Sequence, residues 1–192
     1  MSTATAKKPF PVHRLVVNAV LIALYVALGY LRIPIGNSFR ITTAPFAVIL
    51  CALAFGPTDG LIVGFLGEFL TQVLGPYGLT PTTLLWCVGE TVRGLSLGLF
   101  AWAFLKKWLV SNVPMTAKRV VIVLACCMIT GILSSLGTTF ALYVDSKMLG
   151  YYSYAMVFGA LAMRLVISVV TSGLLGYISI TIISALRKAK LL

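Results

Sequence analysis

The sequence predicts an all-α membrane protein, a bundle of six transmembrane helices with both termini in the cytoplasm. Of the 192 residues, 60% are hydrophobic and only 10% are charged, and the mean hydropathy is +1.05. A soluble domain of this size is nearer half apolar and a quarter charged. The chain also contains six apolar stretches, each close to the length that a bilayer requires.

The six stretches are predicted to be single spans within one transmembrane domain, 1–192. A bilayer core is crossed by ~20 helical residues, and the second and third stretches are short by that measure. The sixth is longer than needed, which indicates tilt or an extension into the cytoplasm. After a polar, basic tail at 1–13, the predicted spans are 15–31, 42–55, 60–74, 83–105, 120–144 and 155–185. The first span lacks a small-residue cleavage site, so we expect it to be retained.

The positions of the basic residues predict the orientation. With the N-terminus inside, ten lysines and arginines fall in cytoplasmic segments and three in external loops. The positive-inside rule therefore places both termini in the cytoplasm. The ten are Lys7, Lys8, Arg14, Lys106, Lys107, Lys118, Arg119, Arg187, Lys188 and Lys190, and the three are Arg32, Arg40 and Lys147. Because these residues flank spans, the net charge of +11 does not indicate nucleic-acid binding.

Sequence patterns typical of metal sites and of enzymes are missing from the chain. The single histidine is His13, and the four cysteines lie in apolar stretches without CxxC spacing. We therefore expect neither a metal site nor a cofactor. Asp59 and Asp145 lie outside the predicted spans, and the sequence has no protease or phosphate-binding motif, so no enzymatic activity is predicted.

A stripe of small residues runs along one face of the first predicted span. Ala19, Ala23 and Ala27 recur every four residues and so share one helical face. Small side chains let a second helix approach closely, which drives helix association in lipid. The pattern alone is compatible with packing inside the bundle and with docking on a partner protein.

Four charged residues lie deep within apolar sequence: Glu68, Glu90, Arg93 and Arg164. A charge in hydrocarbon is costly unless it has a partner or faces a polar cavity. The four could form a pocket for a polar small molecule, or they could neutralise each other as buried ion pairs. Glu90 and Arg93, three residues apart on one helix, are spaced to pair.

The polar residues near these charges define a candidate substrate-binding site. Arginine binds carboxylates through two parallel hydrogen bonds, so a ligand with a carboxylate and several hydroxyl or amide groups is expected. Trp86 would be a stacking wall on the face of Glu90 and Arg93, and Gln72 shares a face with Glu68. Hydroxyls of the fifth and sixth spans join them: Ser134, Ser135, Thr138, Thr139, Ser168, Thr171 and Ser172.

The predicted external loops add further candidates. The first loop, 32–42, and the second, 75–83, are rich in turn formers and apolar enough to fold over a bundle as lids. Asn37 and Arg40 of the first loop are candidate ligand contacts, with an interfacial anchor as the alternative for Arg40. The third loop holds a tyrosine cluster, Tyr151, Tyr152 and Tyr154, typical of an aromatic belt and sometimes of a pocket wall.

Taken together, these motifs resemble the substrate-binding S component of an energy-coupling factor (ECF) vitamin transporter. The resemblance covers the length, the six spans and the basic tail, and it is sharpest in three places. These are the alanine stripe, the IPIGNSFRI loop at 33–41, and the FGPTDG turn at 55–60 followed by GFLGE at 64–68. It implies a multi-pass protein of a prokaryotic plasma membrane that captures a vitamin outside and topples in the membrane to release it inside.

The same resemblance implies partners and a substrate class. In this family the face formed by Ala19, Ala23 and Ala27 docks on a transmembrane coupling subunit that works with two ATPases. The Gly-Asn-x-x-Arg run at 36–40 is similar to folate-type and pantothenate-type members, but YGLTPTT at 77–83 differs from the PGFT-like loop of folate carriers. An arginine in the fourth span suits an acid. Pantothenate is therefore the expected substrate, with folate second.

Two other classes remain open from the residues themselves. One is a carrier that works alone and is driven by protons or sodium, in which Glu68 and Glu90 relay protons. The internal inverted repeats common in such carriers are not evident in the sequence. The other is a membrane-embedded enzyme or a structural subunit, for which no catalytic constellation is present.

Overall fold

The computed structural model of the chain describes residues 12–35, 39–76, 78–110, 116–159 and 161–188. Within these ranges the chain forms helices and one small hairpin. The elements are α1 Val12–Tyr30, β1 Arg32–Ile35, β2 Phe39–Thr42, α2 Pro45–Phe55, α3 Pro57–Val73, α4 Thr83–Trp86, α5 Val88–Val110, α6 Ala117–Met148, α7 Tyr154–Phe158 and α8 Leu161–Lys188.

The helices agree with a membrane protein. In the described part of the chain, four stretches are long and apolar enough to cross a bilayer: Val12–Tyr30, Thr83–Phe104, Ala117–Met148 and Tyr154–Leu186. With 11 residues, α2 is shorter than a usual span, and α3 has 17. The helical fold class is therefore confirmed, while the count of six spans and the cytoplasmic position of both termini stay predictions.

Three local features depart from the expected elements. The predicted first loop contains an antiparallel hairpin in which Arg32 of β1 pairs with Thr42 of β2. The predicted fourth span is divided into α4 and α5 by a break at Cys87. The predicted sixth span corresponds to a short helix, α7, followed by the long α8.

The central element is α2, which is buried on nearly all sides. It begins with Pro45 in its first turn, where a missing N–H has no helical partner to lose. It ends at Gly56, whose φ of 100° favours glycine, and Pro57 then begins α3. This sharp turn sends α3 back along α2.

Two hydrophobic clusters meet at α2. The first joins α2 to α5, α6 and α8 through buried side chains that include Ile49, Leu53, Leu97, Val123 and Ile183. The second joins α2 to α1 and α3, with Leu21, Tyr25, Val48, Cys51 and Val63 among its members. The large apolar residues on the outside of the bundle are suited to lipid.

Glycines set the closest helix crossings. A Cβ atom at Gly60 of α3 would lie 2.7 Å from the main-chain oxygen of Gly94 on α5, and Gly98 packs on the backbone of Pro57. A Cβ at Gly131 of α6 would lie 2.5 Å from the Ser172 hydroxyl on α8. Gly94 and Gly98, spaced as GxxxG, are therefore packing positions.

The two faces of α1 differ sharply. Asn18, Leu21, Tyr25 and Gly29 are buried against the bundle. The alanine stripe, Ala19, Ala23 and Ala27, is exposed on the opposite face. The stripe is therefore not packed against the part of the bundle that the structure describes.

Candidate functional site

A polar cavity lies where the start of α2 meets α5, α6 and α8. It has a volume of about 230 Å³. Its described lining consists of Thr42, Pro45, Glu90, Arg93, Ser134, Ser135, Thr138, Arg164, Ile167, Ser168 and Thr171. Three of the four charges expected in the membrane, Glu90, Arg93 and Arg164, therefore meet in one place.

Arg93 is held by three helices. Its side chain is buried, at 6% exposure. One guanidinium nitrogen, Nη2, donates to the Ser134 hydroxyl of α6 at 3.1 Å, and Nη1 donates to the Ser172 hydroxyl of α8 at 3.1 Å. Arg93 thus ties α5 to both neighbouring helices at the cavity wall.

Glu90 provides the counter-charge for Arg93. Its Oε2 lies 3.2 Å from Arg93 Nε, one turn along α5, although the pair lacks the angle of a hydrogen bond. Its Oε1 accepts a bond of 3.3 Å from the Ser134 hydroxyl. The pairing expected from the spacing of these two residues is present, and their two charges offset each other.

Arg164 is in a different situation. It is half-buried at the cavity wall near the start of α8. Among the residues that the structure describes, it makes no hydrogen bond and no ion pair. Since Glu90 and Arg93 offset each other, the charged groups of the described lining carry one net positive charge, on Arg164. An anion is the natural complement of such a site.

Three of the six hydroxyl side chains in the described lining, those of Thr138, Ser168 and Thr171, donate their proton to the helix backbone. Thr138 donates to Ser134 O at 2.9 Å, and Thr171 donates to Ile167 O at 2.7 Å. Such hydroxyls keep lone pairs that can accept bonds from a ligand. Ser135 has no hydrogen-bond partner for its hydroxyl within the described chain, so it can either donate or accept.

Glu68 and Gln72 form a separate polar cluster. Glu68 Oε2 accepts a bond of 2.6 Å from the Tyr25 hydroxyl on α1, and Oε1 accepts one of 2.7 Å from Gln72 Nε2. Neither Glu68 nor Gln72 belongs to the described lining of the cavity. The cluster instead ties α3 to α1.

The remaining predicted site residues lie apart from the cavity or outside the described side chains. Trp86 is half-buried at the end of α4 and is not among the residues that line the cavity. Arg40 is in β2, opposite Pro34, and only its backbone is described. Asn37 lies outside the described residues. The hydroxyl of Thr139 is bonded to Ser135 O at 2.8 Å.

Several residues of the cavity and of a second polar cluster were not predicted from the sequence. Thr42, Pro45 and Ile167 complete the cavity wall. Elsewhere, Arg14 of α1 pairs with Asp59 of α3. The burial of Asp59 could have been suspected, because it falls in the first turn of a helix that begins at a Gly-Pro pair.

The described residues thus form a bundle of apolar helices with a charged, hydroxyl-lined cavity. The sequence profile of the family described as "ECF-type riboflavin transporter, S component" matches residues 10–179. The chain belongs to this family. It is therefore one of the S components of ECF-type transporters.

Curated relatives are similar over part of the chain. The UPF0397 protein of Streptococcus pneumoniae (strain CGSP14) is 33% identical over 92 residues, which are 47% of this chain and 49% of that protein. The UPF0397 protein of Vibrio atlanticus (strain LGP32) is 28% identical over 118 residues, 60% of this chain and 63% of that protein. The chain thus spans about half the length of the streptococcal relatives it matches.

Solved structures share the fold over nearly the whole chain. An S component for biotin from an ECF-type ABC transporter superposes with a TM-score of 0.64 at 17% identity, covering 96% of this chain and 95% of that one. The S component of a bacterial ECF transporter gives 0.63 at 18% identity, covering 92% and 96%. ThiT from Listeria monocytogenes gives 0.62 at 21% identity, covering 93% and 94%. At these identities the likeness concerns the fold.

Proposed function

We propose that this S component captures a small aliphatic vitamin or vitamin precursor that carries a carboxylate, with pantothenate as the first candidate. The observation that carries the proposal is Arg164, the one charged residue of the described cavity lining without a partner in the described chain. A guanidinium facing a cavity in an apolar bundle is stabilised by a ligand carboxylate, which it can hold through two parallel hydrogen bonds.

The two arginines then have different tasks. Arg93 already uses its guanidinium on Glu90, Ser134 and Ser172. Its role is to hold the wall in shape and keep the serine hydroxyls in place. Arg164 supplies the charge that attracts the ligand. From the sequence, the arginine of the fourth span, Arg93, was the one expected to suit an acidic ligand, and the geometry favours Arg164 for that part.

The hydroxyls of the cavity favour a ligand with several hydrogen-bond donors. Thr138 and Thr171 have committed their protons to the backbone, so they complement ligand hydroxyl and amide N–H groups. Pro45 and Ile167 offer an apolar surface beside them. Pantothenate combines a carboxylate, an amide, hydroxyls and a branched aliphatic carbon, which matches each of these features.

The lining also weighs against large aromatic ligands. No aromatic side chain occurs in the described lining of the cavity. Flavins and pterins present wide planar faces, which proteins commonly hold by stacking on aromatic rings. Riboflavin, named in the description of the family, and folate, the second expectation from the sequence, are therefore the competitors of the proposal.

The proposal includes the coupling step. The exposed stripe of Ala19, Ala23 and Ala27 presents a flat surface on which a transmembrane helix can pack closely. We place the contact with a transmembrane coupling subunit there and assign ATP hydrolysis to two ATPases of the ECF module. The cavity then opens toward the outside of a prokaryotic plasma membrane, with both termini in the cytoplasm.

The test is calorimetric binding by the purified chain in detergent, across pantothenate, folate, riboflavin, biotin and thiamine. We expect tight binding of pantothenate alone. In Arg164→Ala the affinity should fall at least about 30-fold, the equivalent of ~2 kcal/mol for a truncated charge partner. Arg164→Lys should retain part of it, and Lys118→Ala, an exposed residue at the start of α6, should change nothing.

Each other result contradicts a defined part of the proposal. Tight binding of riboflavin or folate, unchanged in Arg164→Ala, would overturn the aliphatic acid as substrate and Arg164 as its anchor. Binding of pantothenate that survives Arg164→Ala but not Arg93→Lys would transfer the anchor to Arg93. If a folded sample, shown by a cooperative melting transition, binds none of the five compounds, none of them is the substrate.

A further inference from the structure

A second ion pair lies at the end of α2 away from the cavity, and none of its residues belongs to the described lining. Arg14 of α1 forms a salt bridge with Asp59 of α3. The other carboxylate oxygen, Asp59 Oδ1, accepts a bond of 2.8 Å from the side-chain amide of Asn18, one turn further along α1. Asp59 is fully buried, at 0% exposure. Arg14, Asn18 and Asp59 are called the α1 clamp below.

The clamp sits between the ends of two helices. Arg14 also donates to the main-chain oxygen of Phe55, the last residue of α2, and its guanidinium lies 5.9 Å from the centre of the Phe55 ring. Asp59 is in the first turn of α3. A cation at a helix C-terminus and an anion at a helix N-terminus are each favoured by the helix dipole. The clamp therefore holds α1 against the α2–α3 turn, with its cation at the end of α2 and its anion at the start of α3.

Stability alone is a weak reason for such a pair. Removing two charges from water costs several kcal/mol, and apolar residues of similar size often stabilise a protein equally well or better. What the ion pair adds is direction, because hydrogen bonds hold only in one arrangement, whereas apolar contacts are non-directional. Fixing the register of packed helices is the best-attested use of buried polar groups.

The helix that the clamp fixes has two faces that must not be exchanged. Arg14 and Asn18 bond inward, on the side of Leu21 and Tyr25, and the alanine stripe faces outward. A rotation of α1 about its axis would turn the stripe toward the bundle. The clamp acts at the opposite end of α2 from the cavity, which includes Pro45, about 15 Å away by the rise of a helix.

We propose that the α1 clamp is a positioning device that sets the rotation and height of α1 against α2 and α3, and so keeps the alanine stripe outward. Arg14 and Asp59 are positioning residues that act through α1. The same contacts cover Cys51 of α2, whose thiol donates to Asn18 Oδ1 at 3.5 Å and which is fully buried. When the clamp is lost, α1 samples other rotations and Cys51 becomes accessible.

Cys51 therefore provides a reporter that needs no ligand and no partner protein. The other cysteines, Cys87, Cys126 and Cys127, are replaced by alanine in the 192-residue chain, and the remaining thiol is alkylated with N-ethylmaleimide and followed by intact mass. Arg14→Gln would leave a buried carboxylate without its cation, which destabilises the fold by itself. The main variant is therefore Arg14→Met/Asp59→Leu, which removes both charges. Lys118→Met, a change of an exposed lysine, is the matched control.

We expect the double variant to melt near the temperature of the parent chain and yet to be alkylated at Cys51 at least about tenfold faster, as for a more readily opened local structure. Arg14→Lys, which keeps the ion pair, should react at nearly the parental rate. A folded double variant with parental alkylation would overturn the proposal. So would equal acceleration in Lys118→Met. Neither result bears on ligand capture, because the readout does not involve the cavity.

Discussion

Gly64 on α3 lies directly against the main chain of Glu90 on α5: a Cβ atom at position 64 would stand 2.5 Å from the Glu90 carbonyl oxygen. The approach is repeated one turn away, where Gly60 faces Gly94. These contacts bring α3 and α5 together at the depth where Glu90 pairs with Arg93. The shape of the cavity wall therefore depends on glycine at positions 60 and 64, because a larger side chain would hold α3 away from α5.

The first prediction follows from this contact. Gly64→Ala should lower the free energy of unfolding by about 1–3 kcal/mol, because the new methyl group meets backbone that cannot move aside. Thermal unfolding of the purified chain in detergent measures the change. Gly173→Ala is the control, since a Cβ there would lie 3.1 Å from the flexible end of Met128. Equal destabilisation by both changes would mean that the close approach of α3 to α5 contributes no more to the free energy of unfolding than the contact at Gly173.

The local charge pattern was predictable from the sequence, but the rotation of each helix was not. The spacing of Glu90 and Arg93 was enough to predict their pairing, which the structure contains at 3.2 Å. Glu68 was expected near the same site, yet it bonds to Tyr25 on α1. Its direction depends on how α3 crosses α5, and that crossing is set by tertiary contacts at Gly60 and Gly64.

Trp86 was also expected at the site, and it too lies apart from the cavity. A continuous helix would place Trp86 on the same face as Glu90 and Arg93. In the structure α4 ends at Trp86 and α5 begins at Val88, and Trp86 is not among the described residues that line the cavity. The Thr80–Thr83 turn before it is held by side-chain bonds, including one of 2.8 Å from Thr80 N to Thr83 Oγ1. Residues 82–88 contain neither glycine nor proline, so propensity gives no sign of the interruption at Cys87.

The second prediction separates the two arginines by stability in the absence of ligand. Arg93→Ala should cost about 3–5 kcal/mol, because it leaves the Glu90 carboxylate buried without its cation. Arg164→Ala should cost much less, since Arg164 makes no bond within the described chain. Melting temperatures of both variants give the comparison. If they are equally destabilised, the two residues do not differ in structural role.

The third prediction concerns the end of α6. The hydroxyl of Tyr151 donates to the buried carboxylate of Asp145. Burial and this bond raise the pKa of Tyr151 to about 12. Since the unfolded chain has a tyrosine pKa of ~10, the stabilisation is complete below that pH and is lost as the pH rises toward the folded-state pKa.

Measurements of the unfolding free energy between pH ~10 and ~12 test the direction of this pH dependence. Tyr151→Phe should lose less of its unfolding free energy between pH ~10 and ~12 than the parent chain does, because no phenol remains at that position to titrate. Asp145→Asn should lower the pKa of Tyr151, and so narrow the pH range over which this stabilisation is lost. Identical alkaline losses in parent and Tyr151→Phe would show that the bond to Asp145 does not hold the proton.

The fourth prediction addresses coupling. Ala23 lies in the middle of the exposed stripe on α1, and a tryptophan there would hold a partner helix away. Ala23→Trp should abolish vitamin uptake in proteoliposomes that contain the ECF module, while calorimetric binding by the isolated chain stays unchanged. We expect the bundle itself to tolerate the change, because position 23 is exposed in the described part of the chain.

The matched control places the same substitution on another exposed alanine. Ala125→Trp, on the outer side of α6, should spare both binding and uptake. A carrier that works alone would show uptake by the purified chain without the ECF module, and Ala23→Trp would then affect transport no more than Ala125→Trp does. Loss of uptake in Ala23→Trp alone, with binding retained, distinguishes a docking surface from a packing surface, since damage to packing would reach the cavity through Tyr25 and α3.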